Sequence, residues 1–244
     1  IVENGAARGV LLKGGMTFDG EQVIANADAL ETYRTLIPNA VRRAYTDERI
    51  AKIEPSCSGF VLLLGTNRRY DSLAHHNIFF SGDYPAEFRA IFDELRPAAD
   101  PTIYVCATSR TDSTQAPPGH ENLFVLVNAP ATSERTDWRR EAKPYRDLIV
   151  GKLESFGLEN LSRAIDHEAM LTPLDFAGRY GAYRGALYGL SSNSRMSAFL
   201  RPPNQARDIK NLFFAGGATH PGGGIPLVLL SGKMAAELIL KSAK

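Results

Sequence analysis

Asn211-Leu212-Phe213-Phe214-Ala215-Gly216-Gly217-Ala218-Thr219-His220-Pro221-Gly222-Gly223-Gly224-Ile225-Pro226 is the stretch from which the rest of the chain is read. Asn211 to Ala215 is a short apolar run of strand type, and the Gly216-Gly217 pair ends it. Three further glycines, Gly222, Gly223 and Gly224, precede a stretch that reads as a helix to about Leu240, with Pro226 in its first turn. The segment is thus a strand, a glycine turn and a helix.

Upstream, strands alternate with helices. Cys57 to Gly65, Ile78 to Ser81, Thr102 to Thr108 and Asn122 to Ala129 read as buried strands, and Ser162 to Met170 as another. Pro85 opens a helix whose Phe88, Ile91, Phe92 and Leu95 fall at helical spacing. Thr136 or Asp137 caps a longer helix to about Phe156, ended by Gly157, in which Pro144 demands a kink or a fresh start. Thr172-Pro173 caps a helix through about Tyr180. Near the beginning, Asn4-Gly5 turns a strand back into Arg8 to Leu12, and Gly14-Gly15 turns the chain toward Gln22 to Ala25. These three pieces are expected to form an antiparallel meander. Asn26-Ala27-Asp28 offers caps for a helix over Ala29 to Ile37, and a second helix is expected over Asp47 to Ile53. The expected class is α/β (α+β): a central mixed sheet with helices over residues 28–180, an outer meander over 1–27, and the strand–turn–helix within 181–244.

Composition narrows the function classes. The chain has 244 residues, 44% of them hydrophobic and 23% charged, the proportions of a globular protein. A net charge of +1 with mixed signs leaves no footprint for nucleic acid. Cys57 and Cys106 sit in apolar strand-like runs, which argues against a disulfide framework or a Cys-based zinc site and points to a reducing cytoplasm. No apolar run approaches the roughly 18–20 residues that span a bilayer. Ile1-Val2-Glu3-Asn4-Gly5 has no initiating Met and none of the regions of a signal peptide, so it reads as the middle of a strand in a truncated or processed chain.

The glycine turn carries the most chemical information. Without a Cβ, glycine lets a ligand approach the backbone, and the first-turn N–H groups of the helix favour a partly anionic group. A flavin's pyrimidine carbonyl, a ribityl chain or a phosphate would suit it, and so would a tight structural corner with no ligand. No Gly-x-Gly-x-x-Gly fingerprint occurs. The run Phe213 to Pro226, followed by Leu227-Val228-Leu229-Leu230-Ser231-Gly232-Lys233, closely resembles the C-terminal signature of bacterial-type phytoene desaturases. These are carotenoid desaturases, FAD-dependent members of the amine-oxidase-like flavoproteins. Ile24 to Asp28, His76 to Tyr84, Ala116 to Leu123, Leu187 to Leu190 and Phe199 to Pro202 resemble the same family, so the likeness runs through the whole chain.

The resemblance implies that Gly216, Gly217, Gly223, Gly224 and Ile225 contact the flavin of FAD, mainly through backbone groups. Related flavoproteins often carry an acidic residue near the second glycine; Gly217-Ala218 stands there, so backbone donors must suffice. Arg201 lies beside the cofactor or in a structural ion pair, and His220 faces the ring or caps the turn. It further implies an apolar polyene or isoprenoid substrate, held in a tunnel of the central domain. Peripheral contact with the cytoplasmic membrane and a missing N-terminal FAD-binding segment are implied as well. The isolated chain is then expected to bind FAD weakly and not to turn over. The apolar strands of that domain fit an ordinary packed core equally well. No catalytic residue is assigned, because hydride transfer to flavin needs little acid–base help.

Other candidates rank lower. His75-His76 are neighbours on an expected strand, so their side chains should point to opposite faces, and no metal site is expected. His120 and His167 read as surface or satisfied residues. Ser191, Ser192 and Ser194 lack a Gly-x-Ser-x-Gly elbow. Gly181, Gly185 and Gly189 are read as part of a strand with turns. Carotenoid isomerases and oxidases on the same scaffold, or a non-catalytic apolar-ligand fragment, are the alternatives.

Overall fold

The computed structural model of the chain describes residues 1–193 and 201–242. It forms two compact units, Ile1–Ser56 with Gly178–Lys244 and Cys57–Ala177. The first unit begins with β1 (Val2–Glu3) and β2 (Ala6–Ala7), an antiparallel pair turned by Asn4 and Gly5, both at positive φ as an Asn-Gly hairpin requires. β3 (Gly9–Leu11) pairs with β4 (Thr17–Asp19), a strand that the sequence reading passed over. The expected meander is not formed. β5 (Val23–Ala25) leaves these hairpins and pairs in parallel with Leu212–Phe214, because only there does its backbone find a full ladder. α1 (Ala29–Glu31), capped by the Asp28 carboxylate on the Leu30 and Glu31 amides, runs on as a wider turn over Thr32–Leu36. α2 (Asp47–Ala51) is capped by Thr46.

This unit has its own core. Leu30, Tyr33 and Ile50 pack with Tyr183, Leu212 and Phe214, which is why residues 29–53 belong here and the compact units divide at 56/57 rather than at 28. Asp208 ties the two segments. Its carboxylate accepts the Arg43 and Ala44 amides, each at 2.7 Å, and the Tyr33 hydroxyl at 2.9 Å. Burial raises its pKa, but these donors outweigh burial and hold the carboxyl below its ordinary value. A group depressed on folding stabilises above its unfolded pKa, about 3.9, and that contribution is lost as pH falls through the folded value. Thermal melts of the chain should therefore fall in midpoint below about pH 4. Asp208→Asn should flatten that fall while lowering the midpoint at neutral pH. An unchanged acid slope in the variant would remove the role given to Asp208.

The second unit is built on a five-stranded sheet that is antiparallel throughout, where a mixed sheet was expected. Its strands are β6 (Ser58–Thr66), β7 (His76–Phe79), β8 (Ile103–Cys106), β9 (Glu121–Ala129) and β10 (Ile165–Leu171), in the order β10-β6-β9-β8-β7. α3 (Tyr84–Phe88), α4 (Trp138–Ser155), α5 (Leu161–Ala164) and α6 (Pro173–Tyr180) complete it, α6 running across the boundary. The strand expected from Ser162 starts late, because Asn160 in the left-handed region opens the helical turn α5. Asp137 caps α4 through the Arg139 amide, while the Thr136 hydroxyl turns instead to the Leu95 carbonyl. Pro144 does not restart α4, which runs through it from Trp138 to Ser155. It lies on the exposed side, where solvent can take the carbonyl that its missing N–H leaves open.

Period-2 alternation decides the two faces of this sheet. Phe60, Leu62, Leu123, Val125, Ile103 and Val105 point to one side, where α4 covers them with Trp138, Tyr145, Ile149 and Leu153. Phe60 stacks on Trp138 at 5.8 Å and meets the Tyr145 ring edge at 5.2 Å. The other face carries Leu63, Phe124, Cys106 and His76 in one cross-strand row, with Tyr104 paired to Ile78 beside it. It remains open: Leu63 is 41%, Phe124 37% and Ile78 55% exposed.

The chain returns to the first unit through a single 3₁₀ turn at Tyr183–Gly185, where a strand with turns was expected. Gly181, Gly185 and Gly189 all take positive φ, which breaks any strand there. β11 (Leu212–Phe214) then leads into α7 (Ile225–Ser242). α7 buries only Ser231 and Ala235 and leaves Ile225, Leu227, Leu229 and Leu230 exposed.

Candidate functional site

The glycine turn between β11 and α7 is held from below by two side chains. Asn204 places its amide nitrogen against the carbonyls of Phe214 at 3.2 Å and His220 at 2.8 Å, with Ser231 at 3.4 Å. Ser231, fully buried on α7, accepts the Gly216 amide at 2.8 Å. Asn26, at the end of β5, donates to the Ala215 carbonyl at 3.0 Å. None of the three is legible in this role from sequence, where Asn26 reads as a helix-cap candidate, because a lone Asn or Ser carries no spacing signal.

The glycines differ in why they are glycine. A Cβ on Gly223 would meet Tyr188 Cδ1 at 2.6 Å, and one on Gly222 would meet Arg201 Nε at 3.1 Å. Gly189 lies so close to Ala218 that its Cβ would stand 2.8 Å from the Ala218 Cα. Those three are demanded by the chain's own packing. Gly217 is not. It does not take positive φ, and a Cβ there would meet only ordinary contacts, Gly223 Cα at 3.6 Å and Val228 at 3.7 Å. Gly224 takes φ +100° in open space and leads into α7, whose Val228 amide is bonded back to it at 2.9 Å. The amides of Ile225 and Leu227 precede that bond and have no partner within the helix, and Pro226 has no N–H.

Arg201 sits against this turn. Its guanidinium donates to the Tyr188 carbonyl at 2.7 Å and reaches the Gly217 carbonyl at 3.4 Å and the Ser192 hydroxyl at 3.3 Å. No carboxylate pairs with it among the described residues, so the ion-pair alternative finds no support there. Burial pulls its pKa below the ordinary value, the mark of a cation short of solvent and of counter-charge. His220 is exposed; its amide donates to Pro202 and its carbonyl accepts from Asn204, so backbone and not ring holds it in the turn. Gly216 has its amide engaged inward on Ser231. The turn thus gathers Gly217, Gly223, Gly224, Ile225 and Arg201 around one edge, with Gly216 and His220 fixed by their backbones. Ser194, Phe199 and Leu200 lie outside the described residues.

One expectation about metal ligands fails. The rings of His75 and His76 do not point apart; their centroids are 4.3 Å from each other. His75 stands on a bend just before β7, outside the strand's alternation.

Comparison with known proteins adds the family. Residues 84–240 match the family described as flavin containing amine oxidoreductase. The chain belongs to that family. Among curated relatives, 4,4'-diaponeurosporene oxygenase of Staphylococcus haemolyticus is 36% identical over 235 residues, covering 95% of this chain and 46% of its own length. Zeta-carotene-forming phytoene desaturase of Myxococcus xanthus is 38% identical over 241 residues, covering 98% of this chain and 46% of its own length. The chain therefore spans about half the length of the curated relatives it matches. An oxidoreductase from Methanosarcina mazei superposes with a TM-score of 0.61 at 13% identity, over 97% of this chain and 47% of the other. A triple mutant of putrescine oxidase gives 0.59 at 13% identity, over 98% and 47%. Both share the fold of this family member, a mixed α/β arrangement of sheets and helices. No helix among the described residues is long and apolar enough to cross a membrane.

Proposed function

We propose that this chain is the C-terminal part of an FAD-dependent oxidoreductase that modifies carotenoids, of phytoene desaturase type, oxidising carbon–carbon bonds of a polyene isoprenoid. The observation that carries the reading is Gly217, a glycine that the chain's own packing does not require, set beside a counter-charge-poor Arg201 and the free first-turn amides of α7. These groups fit the carbonyl-bearing edge of a flavin. The Ile225 and Leu227 amides and Gly224 would hold that edge, with Arg201 propping the Gly217 carbonyl from behind. Bound there, FAD supplies the acceptor for the hydride that leaves a saturated carbon–carbon bond.

The second unit supplies the substrate surface in this reading. The row Leu63–Phe124 and the neighbouring Ile78 and Tyr104 offer an apolar platform on which a methyl-branched polyene lies by hydrophobic contact and excludes water. Residues 57–177 are then the substrate-binding part, and 1–56 with 178–244 belong to the FAD-binding part. The other half of the relatives' length would supply the pyrophosphate and adenosine sites, so FAD binding by this chain alone is weak and turnover absent. Exposed apolar residues of α7 and of the β3–β4 hairpin would be covered by that half, and a peripheral membrane seat would deliver the substrate. An oxygenase reaction on the same scaffold is the second reading, favoured by the comparable identity to the staphylococcal relative.

Titration with FAD, followed by amide chemical shifts, tests the cradle. The Gly217, Gly224 and Ile225 resonances should move together, and Gly217→Val should lower the affinity by about tenfold to a hundredfold, as overpacking of a close contact does. Its melting temperature should match the parent's. Shifts scattered elsewhere, or a Gly217→Val variant that binds FAD equally well, would refute the cradle.

A further inference from the structure

We propose that His75, His76 and Cys106 form a site for one borderline-soft divalent transition ion, Zn²⁺ being the type, with a coordination position left open. β7 and β8 set two of the ligands. His76 and Cys106 are direct cross-strand partners, so both side chains stand on the same face. The third comes from the bend. The His75 carbonyl accepts the Ala107 amide at 2.8 Å, which anchors the backbone there, and the ring swings to meet His76 edge-on at 63°. One ligand atom from each of the three residues lies within 4.8 Å of the others.

The distances suit an ion with a small adjustment. Zinc bonds of about 2.0–2.3 Å in tetrahedral geometry put neighbouring ligand atoms roughly 3.3–3.8 Å apart. The cluster therefore has to close by about an ångström, which half-buried and exposed histidine rings at a sheet edge can do by side-chain rotation. Both rings are already oriented by their other nitrogen. His75 Nδ1 lies 2.5 Å from the Thr111 hydroxyl, and His76 Nδ1 lies 2.8 Å from the Tyr104 hydroxyl. In the tautomer in which each Nδ1–H donates to its hydroxyl, Nε2 carries the lone pair, the arrangement that outer partners impose on metal-bound histidines.

The donor set selects the ion class. Two imidazoles and one thiolate, without a carboxylate among them, suit Zn²⁺, Co²⁺ or Cu²⁺ and not Mg²⁺ or Ca²⁺. Three protein ligands leave a fourth position, as in zinc sites that accept water or substrate. The bland alternative is an aromatic cluster of His75, His76 and Tyr104 beside a buried thiol. It accounts for the ring stacking and, through the Tyr104 hydroxyl that bonds both Cys106 and His76, for their approach, yet gives no reason for the His75 ring to lie within ligand reach of the sulfur as well. This inference does not rest on the flavin cradle, since every residue it uses belongs to the second unit, although Tyr104 also lines the apolar platform.

Cobalt provides the probe. The metal-free chain is titrated with Co²⁺, read by the near-ultraviolet thiolate-to-cobalt charge-transfer band, and Zn²⁺ is added to displace it. One ion per chain is expected, with the band absent in Cys106→Ser and intact in Cys57→Ser, which removes the other thiol. His75→Ala and His76→Ala should each weaken binding at least about tenfold, and Tyr104→Phe, which removes an orienting hydroxyl, about 10–100-fold. Because both histidines are accessible at the sheet edge, their variants should melt with the metal-free parent, so the test stands even where Cys106→Ser fails to fold. Absence of the band, its survival in Cys106→Ser, or unchanged affinity in both histidine variants overturns the proposal.

Discussion

Leu63→Glu should weaken binding of a carotenoid by about two orders of magnitude while lowering the melting temperature of the chain by only a few degrees. The two expectations come from the same geometry. Leu63 is 41% exposed on the open face of the sheet, so a substantial part of its surface is left over from the fold. In a complex with a polyene that surface would be buried, and an aliphatic side chain of its size contributes about 1.5–3 kcal/mol on full burial. A carboxylate in its place must also be stripped of water against a ligand that offers no hydrogen bond, which adds to the loss. The strand itself tolerates the change, since strand propensities differ by about 1 kcal/mol at most. Dissociation constants for phytoene presented in detergent, compared with thermal melts of the same preparations, decide it. An unchanged constant removes the open face from the substrate site.

Trp138→Ala carries the largest expected cost in stability, about 3–5 kcal/mol, the range for truncating a large aromatic in a core. Trp138 is among the largest fully buried side chains, stacked on Phe60 and 6.0 Å from the Tyr145 ring. It opens α4, so its loss also unpins the first turn of the helix that covers the sheet. Trp138→Phe refills much of the space and should recover most of the loss. Urea unfolding of the chain, followed by circular dichroism, measures both. A cost under about 1 kcal/mol for the alanine variant contradicts the packing described here.

Most of the second unit was legible because its signals are strong and local. The strands over β6, β8 and β9 appeared buried near their expected bounds, whereas the one expected from Ile78 to Ser81 lies two residues earlier, at the exposed sheet edge; Asp137 and Gly157 bound α4 as their chemistry dictates. The first unit was harder. The partner of β5 lies almost the whole chain away, and no short-range pattern can announce a parallel pairing of that kind. The hairpin partner β4 is exposed throughout and therefore shows no alternation. At the glycine turn the residue type was plain from sequence, but the difference between Gly217 and Gly223 was not. It depends on where Tyr188 lies. The convergence of His75 with His76 was misjudged for a related reason: strand periodicity was applied one residue beyond the strand.

The parallel ladder between β5 and β11 also governs the order in which the polypeptide can assemble. Residues 57–177 come off the ribosome as one uninterrupted run whose strand pairings all close within it, so they can mature before the chain is complete. Val23–Ala25 must wait for Leu212–Phe214 to be made. Once the intervening run has collapsed, the tether between these two strands is far shorter than the residue count suggests, and the entropy of bringing them together drops accordingly. A lesion that delays the middle of the chain should thus be felt first as an unpaired β5, with the hairpins at the beginning left exposed to other chains.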